Sequence, residues 1–311
     1  MLRLKPLLTR TAVLLVVSCL APIAPAHSAP TREANVASYQ ELLNGYLSTA
    51  SKPGEPLETR FDYEELFIFS GRAARLMGIH NDLLQVPPSE MSPKARIAWA
   101  INTYNYLVLE TVTQNLYEST ISRGKLAGRR AYVRRGRSSV RQIPDFFMNP
   151  VVSVEGHDYS LNSFEQHFLF GDFTRGGNGK PPKGLDPRIH FALVCGAQGC
   201  PPLQPRAYTA DSLELQLEAA TRTALASPNH LRFVPELQRL ELSQIFTWYA
   251  SDFGGPEDVW EFVLRYAPPD MKKLMSQRKS ERADGAINWE WKLNQTPMVG
   301  REPTIIRDGS P

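Results

Sequence analysis

Apolar positions along the chain recur with two periods, one near 3.6 residues and one of two, and these divide it into helices and short strands. The clearest helical stretch follows Ser92-Pro93, a capping serine with proline at the first helical position. It runs from Lys94 to about Leu116, with Ile97, Ile101, Tyr104 and Val108 as one stripe. Further helices are predicted over Thr31–Thr49, ended by Ser51-Lys52-Pro53-Gly54-Glu55-Pro56, and over Phe61–Ile79, where Leu66, Phe69, Ala73 and Leu76 lie near one face. Downstream, Thr209 caps a helix with Leu213, Leu217, Ala220 and Ala224 on one side. Ser243 caps Gln244–Phe253, which stops at Gly254-Gly255; Pro256 opens Glu257–Tyr266, and a short helix starts at Asp270.

The strands are shorter. Val151–Val154 turns at Glu155-Gly156-His157-Asp158 into a helix beginning near Ser160. Ile189–Val194, apolar except for His190, reads as a buried strand. Leu231–Val234 and Leu240–Leu242 form a hairpin around Pro235, and Ile287–Leu293 alternates Ile287, Trp289, Trp291 and Leu293 on one face. A Gly/Pro-rich loop spans Phe170–Gly184. With no internal repeat and no clear linker, the pattern predicts an α+β fold, a helix-rich single domain around a small mixed or antiparallel sheet.

The N-terminus is patterned differently. Arg3, Lys5 and Arg10 precede the apolar run Thr11–Ala24, and Ala24-Pro25-Ala26 and Ala26-His27-Ser28 have small-x-small form. Residues 1–28 therefore read as an export signal, placing the mature chain in a bacterial periplasm. Val16-Val17-Ser18-Cys19 offers the lesser alternative of a lipid anchor on Cys19. The expected division is then 29–60 as N-terminal helix and linker, 61–294 as the main domain and 295–311 as a flexible tail. The formal charge of +3, from 35 basic and 32 acidic residues, belongs to the leader, which holds three basic residues and no acidic one. A neutral exported chain gives no reason to expect a nucleic-acid partner.

Basicity is nonetheless concentrated. Ile121–Arg141 carries Arg123, Lys125, Arg129, Arg130, Arg134, Arg135, Arg137 and Arg141 without an acidic residue. Such a run suits an anionic ligand or membrane surface, with Arg129, Arg130, Arg134 and Arg135 as binding residues. A mobile solvated loop is the competing reading, given Gly124, Gly128 and Gly136.

The strongest candidate for chemistry is His190-x4-Cys195-x4-Cys200. In an oxidising compartment the two cysteines suit a disulfide worth about 2 kcal/mol for so short a loop. Alternatively Cys195 is a nucleophile whose base is His190 or His167, oriented by Glu165, Asn102 or Asn105. On a regular strand, residues 190 and 195 point to opposite faces, so this pairing needs a bend or bulge. A redox pair, with Cys195 attacking and Cys200 resolving, departs from the usual C-x-x-C spacing. A zinc site from these three residues plus His167 or Glu165 would also have unusual spacing, and no metal or other cofactor is expected.

Asn102 and Asn105 share a helix face and suit a hydrogen-bond clamp better than substrate binding. Arg188, beside His190, is a further candidate binding residue. Trp248, Tyr249, Trp289 and Trp291 lie in periodic segments and read as core rather than as a ligand cage. Gly176-Gly177-Asn178-Gly179-Lys180 lacks the hydroxyl residue and preceding strand of a phosphate-binding loop.

Several segments, in order, resemble the family known as domain of unknown function 547. They are Phe61-Asp62-Tyr63; Ala98-Trp99-Ala100-Ile101-Asn102-Thr103-Tyr104-Asn105; Tyr159-Ser160-Leu161 with Phe164-Glu165; Asp186 through Cys195; Cys200-Pro201-Pro202-Leu203; Leu242 through Phe246 with Trp248-Tyr249 and Asp252-Phe253; and Trp291-Lys292-Leu293-Asn294. The resemblance implies bacterial and plant relatives, some of the latter fused to a glutaredoxin-like domain, and no established activity. It also implies a histidine directly after the glutamate and an arginine shortly beyond, where this chain has Gln166 and Phe170, with His167 one place late. The resulting expectation is a thiol-centred enzyme of unassigned reaction. The alternative is a non-catalytic envelope binding protein with a structural Cys195–Cys200 disulfide.

Overall fold

A computed structural model of the chain describes residues 32–50, 56–126, 129–170, 185–277, 285–296 and 305–306. The expected export signal and most of the 170–184 loop lie outside the described residues. In chain order the elements are α1 (Ala37–Tyr46), β1 (Leu47–Ala50), β2 (Glu58–Phe61), α2 (Tyr63–Ile68), α3 (Arg72–Leu84), α4 (Pro93–Gln114), β3 (Tyr117–Leu126), β4 (Arg129–Gly136), β5 (Pro150–Val154), β6 (His157–Ser160) and α5 (Leu161–Phe168). There follow α6 (Leu213–Ala226), β7 (Leu231–Val234), β8 (Arg239–Ser243), α7 (Ile245–Trp248), α8 (Pro256–Tyr266), α9 (Pro269–Gln277), β9 (Gly285–Ile287) and β10 (Ile305–Ile306). The fold is helix-rich α+β, and among the described residues its strands are shared among four small sheets: β1-β2, β10-β4-β3, β5-β6 and β7-β8-β9. Among the described residues no helix is long and apolar enough to cross a membrane.

Helix α4 is central because nearly every side chain from Ala95 to Val112 is buried, so packing surrounds it. Ser92 starts it by accepting a hydrogen bond from the Ala95 amide at 3.3 Å, ahead of Pro93. Two of its polar side chains tie it to α3: the Trp99 indole donates to the Leu83 carbonyl and the Tyr106 hydroxyl to that of Leu76, both at 2.7 Å. A first cluster of buried side chains surrounds α4, and a second gathers Phe191, Phe246, Phe253 and Val263 from the C-terminal half.

Several expected elements differ. The helix over Phe61–Ile79 is split into β2, α2 and α3. Asp62 caps α2 through the Glu65 amide at 2.9 Å, and the chain breaks before Gly71, where a Cβ would lie 2.7 Å from the Phe69 ring. The helix after Thr209 begins at Leu213, since the Thr209 amide bonds instead to the Gln216 side chain. The segment around Gly156 closes a second strand, β6, before Ser160 caps α5. The Arg-rich segment contains an antiparallel ribbon, with Lys125 opposite Arg130 and Arg123 opposite Tyr132. Ile305 and Ile306, in the stretch expected to be a flexible tail, pair with Val133 and Tyr132.

Two corrections shape the site. Ile189–Val194 is not a strand: Pro187–Phe191 is a 3-10 turn, capped by the Asp186 carboxylate on the Arg188 amide at 3.0 Å. An apolar run alone cannot separate these outcomes, whereas Asp-Pro ahead of it favours a helical start. The last strand is also cut short. After β9 pairs with β8, residues 289–293 are held singly, through Gly199 N–H to the Glu290 carbonyl and Gln198 N–H to that of Lys292, both at 2.8 Å.

Candidate functional site

A cleft of about 440 Å³ opens where the two clusters meet. One wall comes from α4, α5 and the segment after the 3-10 turn, through Tyr104, Glu165, Leu193 and Val194. The other carries Ile245, Trp248 and Tyr249 at α7, with Trp289 and Trp291 behind β9. His190, Cys195 and Cys200 all line it, and Phe147 and Met148 contribute to its rim. Among the described residues no Lys or Arg lines it.

His190 is fixed tightly. Its Nε2 lies 3.0 Å from Asp252 Oδ2, and the two side chains are 2% and 0% exposed. Asp252 stands in the 3-10 turn Ala250–Phe253, and the Ser251 hydroxyl donates to its Oδ1 at 3.2 Å. The imidazole packs against Phe170, stacked at 4.4 Å, and Tyr249, at 4.1 Å, two rings that themselves lie 6.0 Å apart. Phe170 is the residue found where the family resemblance leads one to expect arginine, and here it forms an aromatic face for the histidine.

Glu165 is held from two sides. The Tyr249 hydroxyl donates to its Oε1 at 3.1 Å, and Tyr104 also hydrogen-bonds to it. Burial, and then the charge of Glu165, raise the Tyr104 phenol well above its ordinary value, so it keeps its proton and donates. Cys195 and Cys200 lie at disulfide-bonding distance with Cα atoms 6.3 Å apart. Cys195 is half-buried and Cys200 is buried.

The 3-10 turn removes the geometric objection raised by a strand: His190 and Cys195 face one cleft. The other sequence candidates fall elsewhere. Asn105 donates to the Ala192 carbonyl at 2.9 Å and accepts from the Val194 amide at 3.0 Å, so both ends of its amide hold the 192–194 backbone. Asn102 makes the same pair of bonds to Tyr208, each at 2.8 Å. Arg188 is engaged by Asp186 and, at 2.6 Å, by Glu214. His167 is exposed on α5, against Tyr159 and Phe168.

Arg129, Arg130, Arg134 and Arg135 lie along β4, away in sequence and sheet from the cleft lining. Of the same basic run, Arg137 donates to the Asn115 and Tyr117 carbonyls at 2.6 Å, and Arg141 covers the Trp291 ring at 4.6 Å. No group of three or more His, Cys, Asp or Glu side chains is arranged for a metal among the described residues.

Sequence reasoning missed Asp252 as the partner of His190. It also read the three tryptophans as core, although Trp248 is 46% exposed and all three line the cleft. The available signal for Asp252 was its place in the ordered family segments. For the tryptophans, their clustering near glycine-rich breaks gave no comparable sign.

Comparison with curated proteins and with solved structures finds no match. Residues 88–223 match a family model described as "Protein of unknown function, DUF547". The match spans Asn102, Asn105, Glu165, His190, Cys195 and Cys200, and ends before Trp248, Asp252, Trp289 and Trp291. The segment that supplies the cleft's histidine, glutamate and cysteine pair thus lies wholly within the part of the chain that is similar to the DUF547 family, of unknown function.

Proposed function

We propose that the chain is an exported enzyme working through Cys195 in the aromatic cleft, with His190 as proton acceptor and Asp252 holding the imidazole. The observation that carries this reading is that His190, Cys195 and Glu165 line one cleft. A buried His–Asp pair costs desolvation that an apolar residue would avoid, and such pairs beside a cleft are candidates for proton transfer. With Nε2 bound to Asp252, the transfer runs through Nδ1.

The bonded cysteine pair is the resting form. An external dithiol supplies the two electrons and two protons that open it to two thiols. Cys195, the less buried residue of the pair, then meets the ligand as thiolate, its proton passing to His190. Alkylation with peptide mapping tests this. After mild reduction of the native protein, Cys195 should label well ahead of Cys200. If neither cysteine can be labelled until denaturant is added, the pair is a structural staple and the thiol reading fails.

A second reading, a non-catalytic envelope protein binding anions through Arg123–Arg141, is favoured by one observation. The β3–β4 ribbon puts Lys125 in register with Arg130, so the basic positions of the run are gathered on one two-stranded element. Retention on anionic vesicles at physiological salt supports it, and no retention at low salt removes it.

A further inference from the structure

We propose that the cleft binds a quaternary ammonium group, seated against the faces of Trp248, Trp289 and Tyr249 with Glu165 as counter-charge. The proposal rests on the cleft being the working site, as above, but requires no reactive thiol. Trp248 and Trp289 have ring centroids 4.9 Å apart, and Trp291 stands 6.2 Å from each, so the three indoles form one wall. Trp248 is 46% exposed, so part of its indole is open to a ligand in the cleft.

The charge of the cleft selects the occupant. Among the described residues its lining includes the carboxylate of Glu165 and no Lys or Arg, so the field they set inside favours a cation. Indole and phenol faces attract a cation through their quadrupoles, and a quaternary ammonium carries its charge without needing hydrogen-bond acceptors. The ionisable groups of the lining are held by neighbours, Glu165 by Tyr104 and Tyr249 and His190 by Asp252, so the charge of Glu165 is fixed in place. Within the protein, Arg141 stacks on Trp291 at 4.6 Å, an internal instance of the same attraction, without being part of the cleft lining. At about 440 Å³ the cleft has room for a small molecule attached to the ammonium.

Calorimetric titration of the full-length oxidised protein with choline, tetramethylammonium and 3,3-dimethyl-1-butanol, choline's neutral isostere, tests the assignment. Choline should bind saturably and the isostere about tenfold or more weakly. Trp248→Ala, at an exposed position, should weaken choline several-fold, and Glu165→Gln should do so with the indoles intact; circular dichroism verifies folding of both. Equal affinity for choline and isostere, or binding of neither ammonium probe, overturns the proposal, as does saturable binding of an oligosaccharide in their place. Flotation with phosphatidylcholine but not phosphatidylglycerol vesicles would identify the source as a lipid headgroup, whereas binding of free choline without flotation would identify a soluble ligand. Because the cysteines stay oxidised throughout, failure here leaves the alkylation result standing, and the reverse also holds.

Discussion

Replacing Asn105 by alanine removes both hydrogen bonds that pin the backbone between His190 and Cys195. The Ala192 carbonyl and the Val194 amide lose their partner, and these residues are 4% and 6% exposed, so water does not readily replace it. An unsatisfied buried polar group costs about 1–3 kcal/mol, and two of them, with some relaxation, give a loss of about 3 kcal/mol. In urea unfolding this is a midpoint lowered by about 1 M or more at unchanged slope. In a thermal scan it is a Tm lowered by roughly 6–12 °C. Asn102→Ala should cost a similar amount through Tyr208 while leaving the 190–195 segment, and hence Cys195 reactivity, as it was. A loss below about 0.5 kcal/mol for Asn105→Ala would refute the clamp, because ordinary surface substitutions cost that much.

Further expectations follow from titrating and close-packed groups. Burial raises Glu110 from 4.5 to about 7, against the opposing pull of the Tyr106 hydroxyl. The folded state thus keeps a proton that the unfolded chain has lost, and stability falls as pH rises from 4.5 to 7. Glu110→Gln should flatten that fall and add about 2 kcal/mol at pH 8, after allowance for solvent screening, measured by urea midpoints; an unchanged slope contradicts this. His230 runs the other way: burial lowers it from 6.5 to about 4, so stability is lost as pH falls through that window. His230→Phe should remove this acid sensitivity, and an unaltered acid transition would exclude it as the cause. A Cβ at Gly199 would lie 2.8 Å from the Glu290 amide and 2.9 Å from the Trp289 ring. Gly199→Ala should therefore shift residues 289–291, changing near-ultraviolet circular dichroism and weakening choline binding, while an unchanged spectrum would show that the neighbours give way freely.

How far the sequence could be read varies with the physics behind each element. Helix α4 was legible because cap, proline and stripe agree and burial on all sides reinforces them. The 189–194 run was not, because periodicity is silent about a short apolar stretch and the turn depends on Asp186 and on the clamp from Asn105, 87 positions away. The same error hid that His190 and Cys195 line one cleft. Candidate chemistry was legible for these two and for Glu165, whose residue types announce it. Asp252, 62 positions from His190, could be assigned only by tertiary contact. The tryptophans alternate as a strand would, yet the anchors of residues 289–293 are single bonds to loops around Gly199 and Ser138, which no local pattern encodes.

The most direct test is the pH dependence of Cys195 alkylation in the mildly reduced protein, measured beside that of His190→Ala. If His190 takes the thiol's proton in the cleft, the wild-type rate should reach its half-maximum below the pH of about 8.5 typical of a free thiol, and the variant's midpoint should rise by about one unit or more. Coincident profiles for the two proteins would contradict the account and leave the cysteine pair as a staple beside a binding cleft.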